Sequence, residues 1–201
     1  MKLPPLPRSS DSPLTQQFFV SSLLVLADDP TCSPTDRTEI ANSLLRAISG
    51  LRLTNNQVRS VALSELLKRN DILPLNLCGA DLRQIAIEAP VMDGIDCRNM
   101  WADYLILSHA TVTRCNFSGT KFYNGVLTGT YIDCDFTKTD FLALGITKRS
   151  TFFNCSFLGS TFDMTSFGPA TVRNCAFDAD PKPKVETTSA QKNTTEHYNK
   201  W

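Results

Sequence analysis

The sequence predicts a mainly β fold, a right-handed quadrilateral β-helix preceded by a small α-helical domain. Two periodicities in the second half of the chain carry this prediction. From Leu75 onward a large residue, usually apolar, recurs every five positions, and a Cys-x-Phe group recurs about every twenty. Repeats of this kind indicate stacked structural units that bury a shared core. Before Leu75 the apolar residues follow a helical spacing instead, so the helices come first.

Three helices are expected in the N-terminal part. The first runs from about Pro13 to Leu26, and the second begins after Ser33 and ends near Gly50. The third starts near Thr54 and carries basic residues in its last turn. The proline- and serine-rich residues 1–12 have no apolar period and are expected to form a flexible leader. The predicted organisation is therefore a leader (1–12), an α-helical cap (13–72), a β-helix (73–179) and a disordered tail (180–201).

The apolar segment from Phe18 to Ala27 has a second interpretation as the core of a signal peptide. The polar residues Gln16, Gln17, Ser21 and Ser22 favour an amphipathic helix, and the segment is too short and too polar to span a membrane. Seven cysteines without the spacing of a zinc site indicate a reducing compartment. We expect a protein of a reducing compartment such as the cytoplasm, with signal-peptide secretion as the alternative.

The five-residue register defines the inward-facing positions. The residue two before each large centre is usually small, as expected for a narrow core that admits a large side chain only beside a small one. The register slips by one residue after Ile132 and slips back after Ile146. The predicted centres are Leu77, Leu82, Ile87, Met92, Cys97, Ala102, Leu107, Val112, Phe117, Phe122, Leu127, Ile132, Phe136, Phe141, Ile146, Phe152, Phe157, Phe162, Phe167, Val172 and Phe177.

The twenty-residue period shows how many pentapeptides close one coil. Cys115, Cys134, Cys155 and Cys175 follow one another at spacings of 19, 21 and 20 residues, each two positions before a phenylalanine. Four five-residue sides therefore return the chain to the same face. Extending this face back to Leu75 gives five coils and a little more.

Individual repeats resemble those of the pentapeptide-repeat family, whose pattern is a small residue, Asp or Asn, Leu or Phe, and two polar positions. Ala80-Asp81-Leu82-Arg83-Gln84 and Cys115-Asn116-Phe117-Ser118-Gly119 match this pattern directly. The resemblance covers about half of the chain and implies the quadrilateral β-helix. Known members bind other proteins: some imitate duplex DNA to protect or inhibit type II topoisomerases, some are effectors injected into host cells, and some are cyanobacterial regulators. The resemblance implies a non-enzymatic binding protein, located in the cytoplasm of a bacterium or delivered into a host cell as an effector.

The residues themselves offer little for catalysis. The two histidines, His109 and His197, have no partners for a triad, and the pair Asp133 and Asp135 falls at a register slip, where a solvated turn is expected. The four stacked cysteines are interpreted as small core residues. We therefore expect no enzyme activity, no cofactor and no metal site.

Charge argues against the role of a DNA mimic. The chain has 20 basic and 20 acidic residues, and residues 75–180 carry eight basic and eleven acidic side chains, a net of −3. Duplex DNA carries one charge per ~1.7 Å of its axis, which is much denser. Imitation of DNA to modulate gyrase or topoisomerase IV stays the alternative function, and direct binding of nucleic acid is not expected.

Apolar residues at outward positions form the candidate interaction site. They fall on two adjoining faces of consecutive coils, where polar residues are expected, and an exposed aromatic patch is typical of a protein-binding surface. The competing interpretation is that the N-terminal helices fold over the patch. A homodimer through the open C-terminal end of the β-helix is a further candidate contact. The patch residues are Trp101, Tyr104, Ile106, Tyr123, Val126 and Leu142.

Overall fold

The chain folds into three helices followed by a right-handed quadrilateral β-helix, as the sequence predicts. This computed structural model describes residues 3–50, 53–69, 75–167 and 170–178. The expected disordered tail, 180–201, and the expected bounds of the β-helix at 73 and 179 lie outside the described residues.

The helices are α1 (Pro13–Asp28), α2 (Pro34–Ser49) and α3 (Asn56–Lys68). Each begins where its sequence supplies an N-cap: the side chains of Ser12, Ser33 and Asn55 accept hydrogen bonds from backbone N–H groups of the first turn. The three helices share a core with the β-helix, and their most buried side chains include Leu23, Ile40, Leu44, Ile48, Leu63 and Leu66.

The described part of the chain contains nine strands, which form two parallel sheets along the β-helix. The larger sheet contains β1 (Ala86–Glu88), β2 (Val91–Asp93), β3 (Ile106–Thr113), β5 (Val126–Ile132), β7 (Gly145–Phe153) and β9 (Thr171–Arg173). The smaller sheet contains β4 (Lys121–Tyr123), β6 (Asp140–Leu142) and β8 (Thr161–Asp163).

A column of parallel bridges holds a further side together. It joins Asn76, Asp96, Asn116, Asp135, Ser156 and Ala176 in turn, so the chain returns to this side five times after Asn76.

The core of the β-helix is a set of stacked aromatic rings. Phe117, Phe136, Phe157 and Phe177 stack in one column with centroid distances of 4.9, 5.0 and 4.8 Å. A neighbouring column contains Phe122, Phe141 and Phe162, with centroid distances of 5.6 and 5.2 Å. The cysteines two positions before the first column, Cys115, Cys134, Cys155 and Cys175, are buried beside it as expected.

The structure corrects the predicted register at the first slip. Tyr131, not Ile132, is the inward centre: Tyr131 is fully buried and pairs in register with Val112, whereas Ile132 is only half-buried. The preceding small residue is Gly129, not Thr130. A Cβ atom on Gly129 would lie 2.1 Å from the carbonyl oxygen of Ala110, so only glycine allows the shortened side to approach the coil above.

The second slip lies where the sequence places it. The register shifts between Ile146 and Ser150, and Phe152 returns to the core and stacks on Tyr131 at 4.9 Å. The first slip shortens one side of a coil by one residue. The second slip lengthens the same side of the next coil by one residue.

The helices cap the first coil through α3. The guanidinium of Arg59 donates hydrogen bonds to the carbonyl oxygens of Asp81 and Arg83, both at 2.8 Å, and to that of Ile48 at 3.1 Å. The hydroxyl of Ser60 accepts a bond from the backbone N–H of Ala86 at 3.1 Å. These contacts provide hydrogen-bond partners for backbone carbonyl and N–H groups at the edge of the first coil. In the later coils, such groups are bonded to the preceding coil.

Candidate protein-interaction site

The predicted patch residues lie on neighbouring columns of the β-helix. Ile106 pairs in register with Val126, and Tyr123 pairs with Leu142 in the following coil. Trp101 lies on the side before Tyr104, between Asp81 above and Lys121 below. The structure thus brings all six residues onto adjoining sides of three successive coils.

Exposure divides the patch into two parts. Trp101, Tyr104 and Ile106 are 51%, 55% and 37% exposed. Tyr123, Val126 and Leu142 are half-buried. The first three side chains form the projecting part of the patch, and the others continue it along the β-helix.

The N-terminal helices stop one coil short of this surface. The side-chain amide of Asn56 donates to Gln84 at 2.8 Å, and Ser60 contacts Ala86, which lies directly above Ile106 in the sheet. The exposed fractions of Trp101, Tyr104 and Ile106 are those measured with the helices in place. The interpretation in which the helices cover the patch is therefore wrong for these three residues.

Two positively charged side chains contact the indole ring of Trp101. The Arg83 guanidinium carbon lies 5.5 Å from the ring centroid, and the Lys121 ammonium lies 5.6 Å from it. Arg83 is itself fixed by two hydrogen bonds to the carboxylate of Asp81, at 2.9 and 2.6 Å. The Trp101 side chain is consequently presented in a restrained orientation, which lowers the entropy lost when a partner binds.

The backbone at Tyr104 is in the left-handed region, with φ +58°, a conformation that recurs at the corners of the coils and is also adopted there by Arg114 and Lys138. The same corner of the next coil is occupied by Asn124 at φ +53°. Asparagine tolerates this conformation, whereas it is unfavourable for a bulky aromatic residue. Since more than half of the Tyr104 side chain is exposed, burial within the monomer offsets little of that cost.

Tyr123 is anchored at its polar end. Its hydroxyl donates a 2.5 Å hydrogen bond to the carboxylate of Asp140, and this bond raises the pKa of Tyr123 above its ordinary value. The bond leaves the ring half-buried at the surface, continuous with the exposed residues of the coil above.

The acidic residues of the β-helix are largely engaged in local contacts. In the column of bridges, the side chains of Asn76, Asp96, Asn116 and Asp135 each accept a hydrogen bond from the backbone N–H two residues later, at 2.8 to 3.1 Å. This turn contact explains why Asp or Asn precedes the centre of a repeat. Arg98 also pairs with Asp96 at 2.7 Å, and its hydrogen bond lowers the pKa of that carboxyl.

Two further ion pairs interrupt the negative charge along the surface of the β-helix. Arg83 pairs with Asp81, and Arg114 pairs with Asp93. Carboxylates that alternate with paired arginines do not present the dense negative charge of a duplex.

The candidate catalytic groups make local contacts within the β-helix. The ring of His109 contacts the Glu88 carboxylate at 2.7 Å and the Arg149 guanidinium at 3.5 Å. Burial raises the pKa of the Cys115 thiol to about 12, which keeps it protonated. Among the described residues, no three His, Cys, Asp or Glu side chains are grouped so that they could hold a metal ion. Within the same residues, no helix has the length and apolar character needed to cross a bilayer.

Sequence reasoning missed two further features. Arg59 has no role in the expectations from the sequence, although its burial and its bonds to the first coil make it the centre of the cap. The outward side of α1 carries exposed Leu14, Phe18 and Val25. Their helical spacing was visible in the sequence, but the direction in which this side of α1 faces was not.

Among known proteins, similarity to this chain is found only with solved structures, and it concerns the fold. No family model matches the chain, and no curated protein matches it. Among solved structures, it is similar to HetL, a pentapeptide repeat protein involved in heterocyst differentiation regulation from the cyanobacterium Nostoc sp. Strain PCC 7120. The identity is 13% over 54% of this chain and 55% of HetL, with a TM-score of 0.33. The chain thus spans about half the length of HetL.

It is also similar to full-length QnrB1, a plasmid-mediated fluoroquinolone resistance protein, at 12% identity over 52% of this chain and 80% of QnrB1, with a TM-score of 0.19. These similarities are too low to assign a function. The β-helix is shown by the parallel strand pairing and bridges between successive coils of the chain itself.

Proposed function

We propose that this chain is a pentapeptide-repeat protein that acts as a non-enzymatic protein-binding scaffold. Its binding surface would be the patch of Trp101, Tyr104 and Ile106, continued by Tyr123, Val126 and Leu142. The observation that carries the proposal is the uncovered projecting part of the patch, in which three large apolar side chains stay exposed with the helices in place. Trp and Tyr in such positions are typical of binding hot spots.

The proposal is tested by affinity capture with the full chain from lysate of its source cells, followed by quantitative mass spectrometry. The patch variant is Trp101→Ser with Tyr104→Asn, and the matched control is Val91→Ser, which changes an exposed apolar residue on a different strand, β2. A partner should be retained by the wild type and the control and lost at least about tenfold by the patch variant, because each hot-spot residue contributes about 2 kcal/mol or more. Equal capture by the patch variant would contradict the proposal.

The free energy of unfolding of the same variants provides an internal check. Exposed cation–π contacts contribute only about 0.5 to 1 kcal/mol, so the patch variant should lose little stability. A loss of several kcal/mol would show that these side chains serve the monomer instead.

Delivery as a bacterial effector is the narrower form of this proposal. Its support is the proline- and serine-rich leader, residues 1–12. Deleting these residues should abolish the transfer of a fused reporter into host cells, and undiminished transfer would leave the cytoplasmic adaptor as the better description.

The alternative function, modulation of gyrase or topoisomerase IV by imitation of DNA, has weaker support because the carboxylates are paired or bound in turns. A supercoiling assay with the purified chain should show no change at roughly tens of micromolar protein, a concentration that detects even weak complexes. Inhibition or protection in that range would favour the alternative.

A further inference from the structure

The proline-rich segment Leu3-Pro4-Pro5-Leu6-Pro7-Arg8 lies outside the helices and the β-helix. Each proline fixes its own φ at about −65° and restricts the residue before it to extended conformations. Because Leu3, Pro4 and Leu6 each precede a proline, most of the segment is confined to the polyproline II conformation. Within the described parts of the chain, residues 4–7 make no backbone hydrogen bond, as that conformation requires.

The burial of the segment fits the three-residue period of a polyproline II helix, which has three edges. Pro4 is half-buried and Pro7 is buried, so the edge that they share rests on the remainder of the protein. Pro5 and Arg8, on the second edge, are exposed. Leu6, on the third edge, is 39% exposed. One edge therefore holds the segment in place, and the side chains of the other two edges project from it.

Both ends of the segment are fixed by contacts. At one end, Leu3 packs against the hydrophobic core and lines a groove together with Phe18 of α1. At the other end, the backbone N–H of Arg8 donates to the carboxylate of Asp11 at 2.7 Å, and the N–H of Asp11 donates to the carbonyl oxygen of Arg8 at 3.0 Å. This turn leads directly into Ser12, the N-cap of α1. The segment is thus presented in a defined orientation, which lowers the entropy lost on binding.

From this arrangement we infer that the segment is a ligand for a WW-type domain, which binds polyproline II helices in a groove lined by tyrosine and tryptophan rings. A groove of this kind receives two edges of the helix and leaves the third edge free. In this chain the edge of Pro4 and Pro7 rests on the protein itself, so the groove can take Pro5 and Leu6 while the segment stays in place.

The distribution of charge favours this class of groove. Pro5 and Leu6 are apolar, which suits slots formed by aromatic rings alone. Other polyproline-binding grooves add an acidic pocket for a cation two residues beyond the last proline, and this chain has Ser9 at that position. The basic Arg8 is one residue too early for such a pocket, so a groove without it is the better fit.

The complex is expected to be weak and reversible. A stable interface buries roughly 800 Å² on each partner, and a few projecting side chains offer much less. We expect a dissociation constant on the order of 100 μM. The segment shares no residue with the aromatic patch of Trp101, Tyr104 and Ile106, so binding at the segment is independent of the function proposed above.

Titration of the full chain into a panel of purified, isotope-labelled WW domains, followed by nuclear magnetic resonance, tests the binding. At least one domain should bind, and Pro5→Ala with Leu6→Ala should weaken that binding about tenfold or more, because two side chains leave their slots. The control is Pro30→Ala, which changes an exposed proline between α1 and α2 and should bind like the wild type. The inference is overturned if no domain responds at about 500 μM protein, well above the expected dissociation constant, or if the double variant binds as well as the wild type.

The location of the shifted signals provides a second readout with the wild type alone. In the bound WW domain, the signals that shift should belong to the tyrosine and tryptophan of the groove, because their rings contact Pro5 and Leu6. Shifts confined to another surface of the domain would contradict the inference. A second panel contains domains whose polyproline groove has an acidic pocket, and binding by these domains alone would exclude a WW-type partner.

Discussion

At the scale of single residues, Tyr131 is the polar exception in an aromatic core. Its ring stacks on Phe152 at 4.9 Å and meets Phe136 edge-on at 6.1 Å. Its hydroxyl is buried, with no hydrogen-bond partner among the described residues. The same burial raises the pKa of Tyr131 far above its ordinary value, so the group stays neutral.

Tyr131→Phe is therefore expected to increase the free energy of unfolding by about 1 kcal/mol, since it removes an unsatisfied hydroxyl and keeps the ring. Urea denaturation measures this change. Tyr123→Phe is the control, because it removes a hydroxyl that is bonded to Asp140 and should not stabilise the chain. A clear loss of stability in Tyr131→Phe would show that the hydroxyl has a partner, such as a buried water.

Tyr104 supports a second prediction at this scale. Tyr104→Asn replaces a bulky residue at φ +58° by the residue that occupies the same corner in the next coil. We expect the free energy of unfolding to stay equal or rise by about 0.5 to 1 kcal/mol, because asparagine tolerates the left-handed conformation. Capture of the partner should fall in the same variant. A drop in stability of more than about 1 kcal/mol would indicate a structural role for the tyrosine ring.

At the scale of elements, α3 replaces the coil that is missing above Asp81 and Arg83. Arg59 is only 2% exposed, and three backbone carbonyls accept its hydrogen bonds. Arg69 anchors the other end of α3 to α1 through two 2.8 Å contacts with Asp28. The helices and the β-helix thus form one hydrogen-bonded unit, and experiments on binding are best made with the full chain.

Arg59→Met is expected to lower the free energy of unfolding by about 2 to 3 kcal/mol, because it leaves buried carbonyl groups without donors. The measurement is again urea denaturation. Arg46→Met, an exposed arginine near the end of α2, should change stability by less than about 0.5 kcal/mol. Similar effects of the two substitutions would contradict the capping role of Arg59.

The elements also show how far the sequence could predict this structure. The column positions follow from a strict period, so the exposure of Trp101 and Tyr104 was predictable. The first slip was not predictable, because Tyr131 and Ile132 are both large and Gly129 and Thr130 are both small. The choice between them depends on the close approach of Gly129 to Ala110, a contact between coils that no local pattern encodes. The burial of Arg59 likewise depends on how α3 docks.

At the scale of the whole molecule, the two ends of the β-helix differ. The first coil is closed by α3, whereas β8 and β9 are the last strands of their sheets within the described residues. Strand edges of this kind pair with other strands unless they are covered or charged. The predicted end-to-end homodimer would use this end, opposite to the one that the helices close.

Charge placed at this edge should remove the end-to-end contact. Thr161→Lys with Thr171→Lys places lysines on β8 and β9, so two such ends repel each other. We expect the wild type to form a dimer and the lysine variant to be monomeric.

Light scattering of the two proteins at equal micromolar concentration distinguishes these outcomes. A monomeric mass for the wild type would reject the end-to-end dimer. A dimeric mass for the lysine variant would place self-association at another surface. The aromatic patch is the first to examine in that case, and Trp101→Ser should then reduce the mass to that of the monomer.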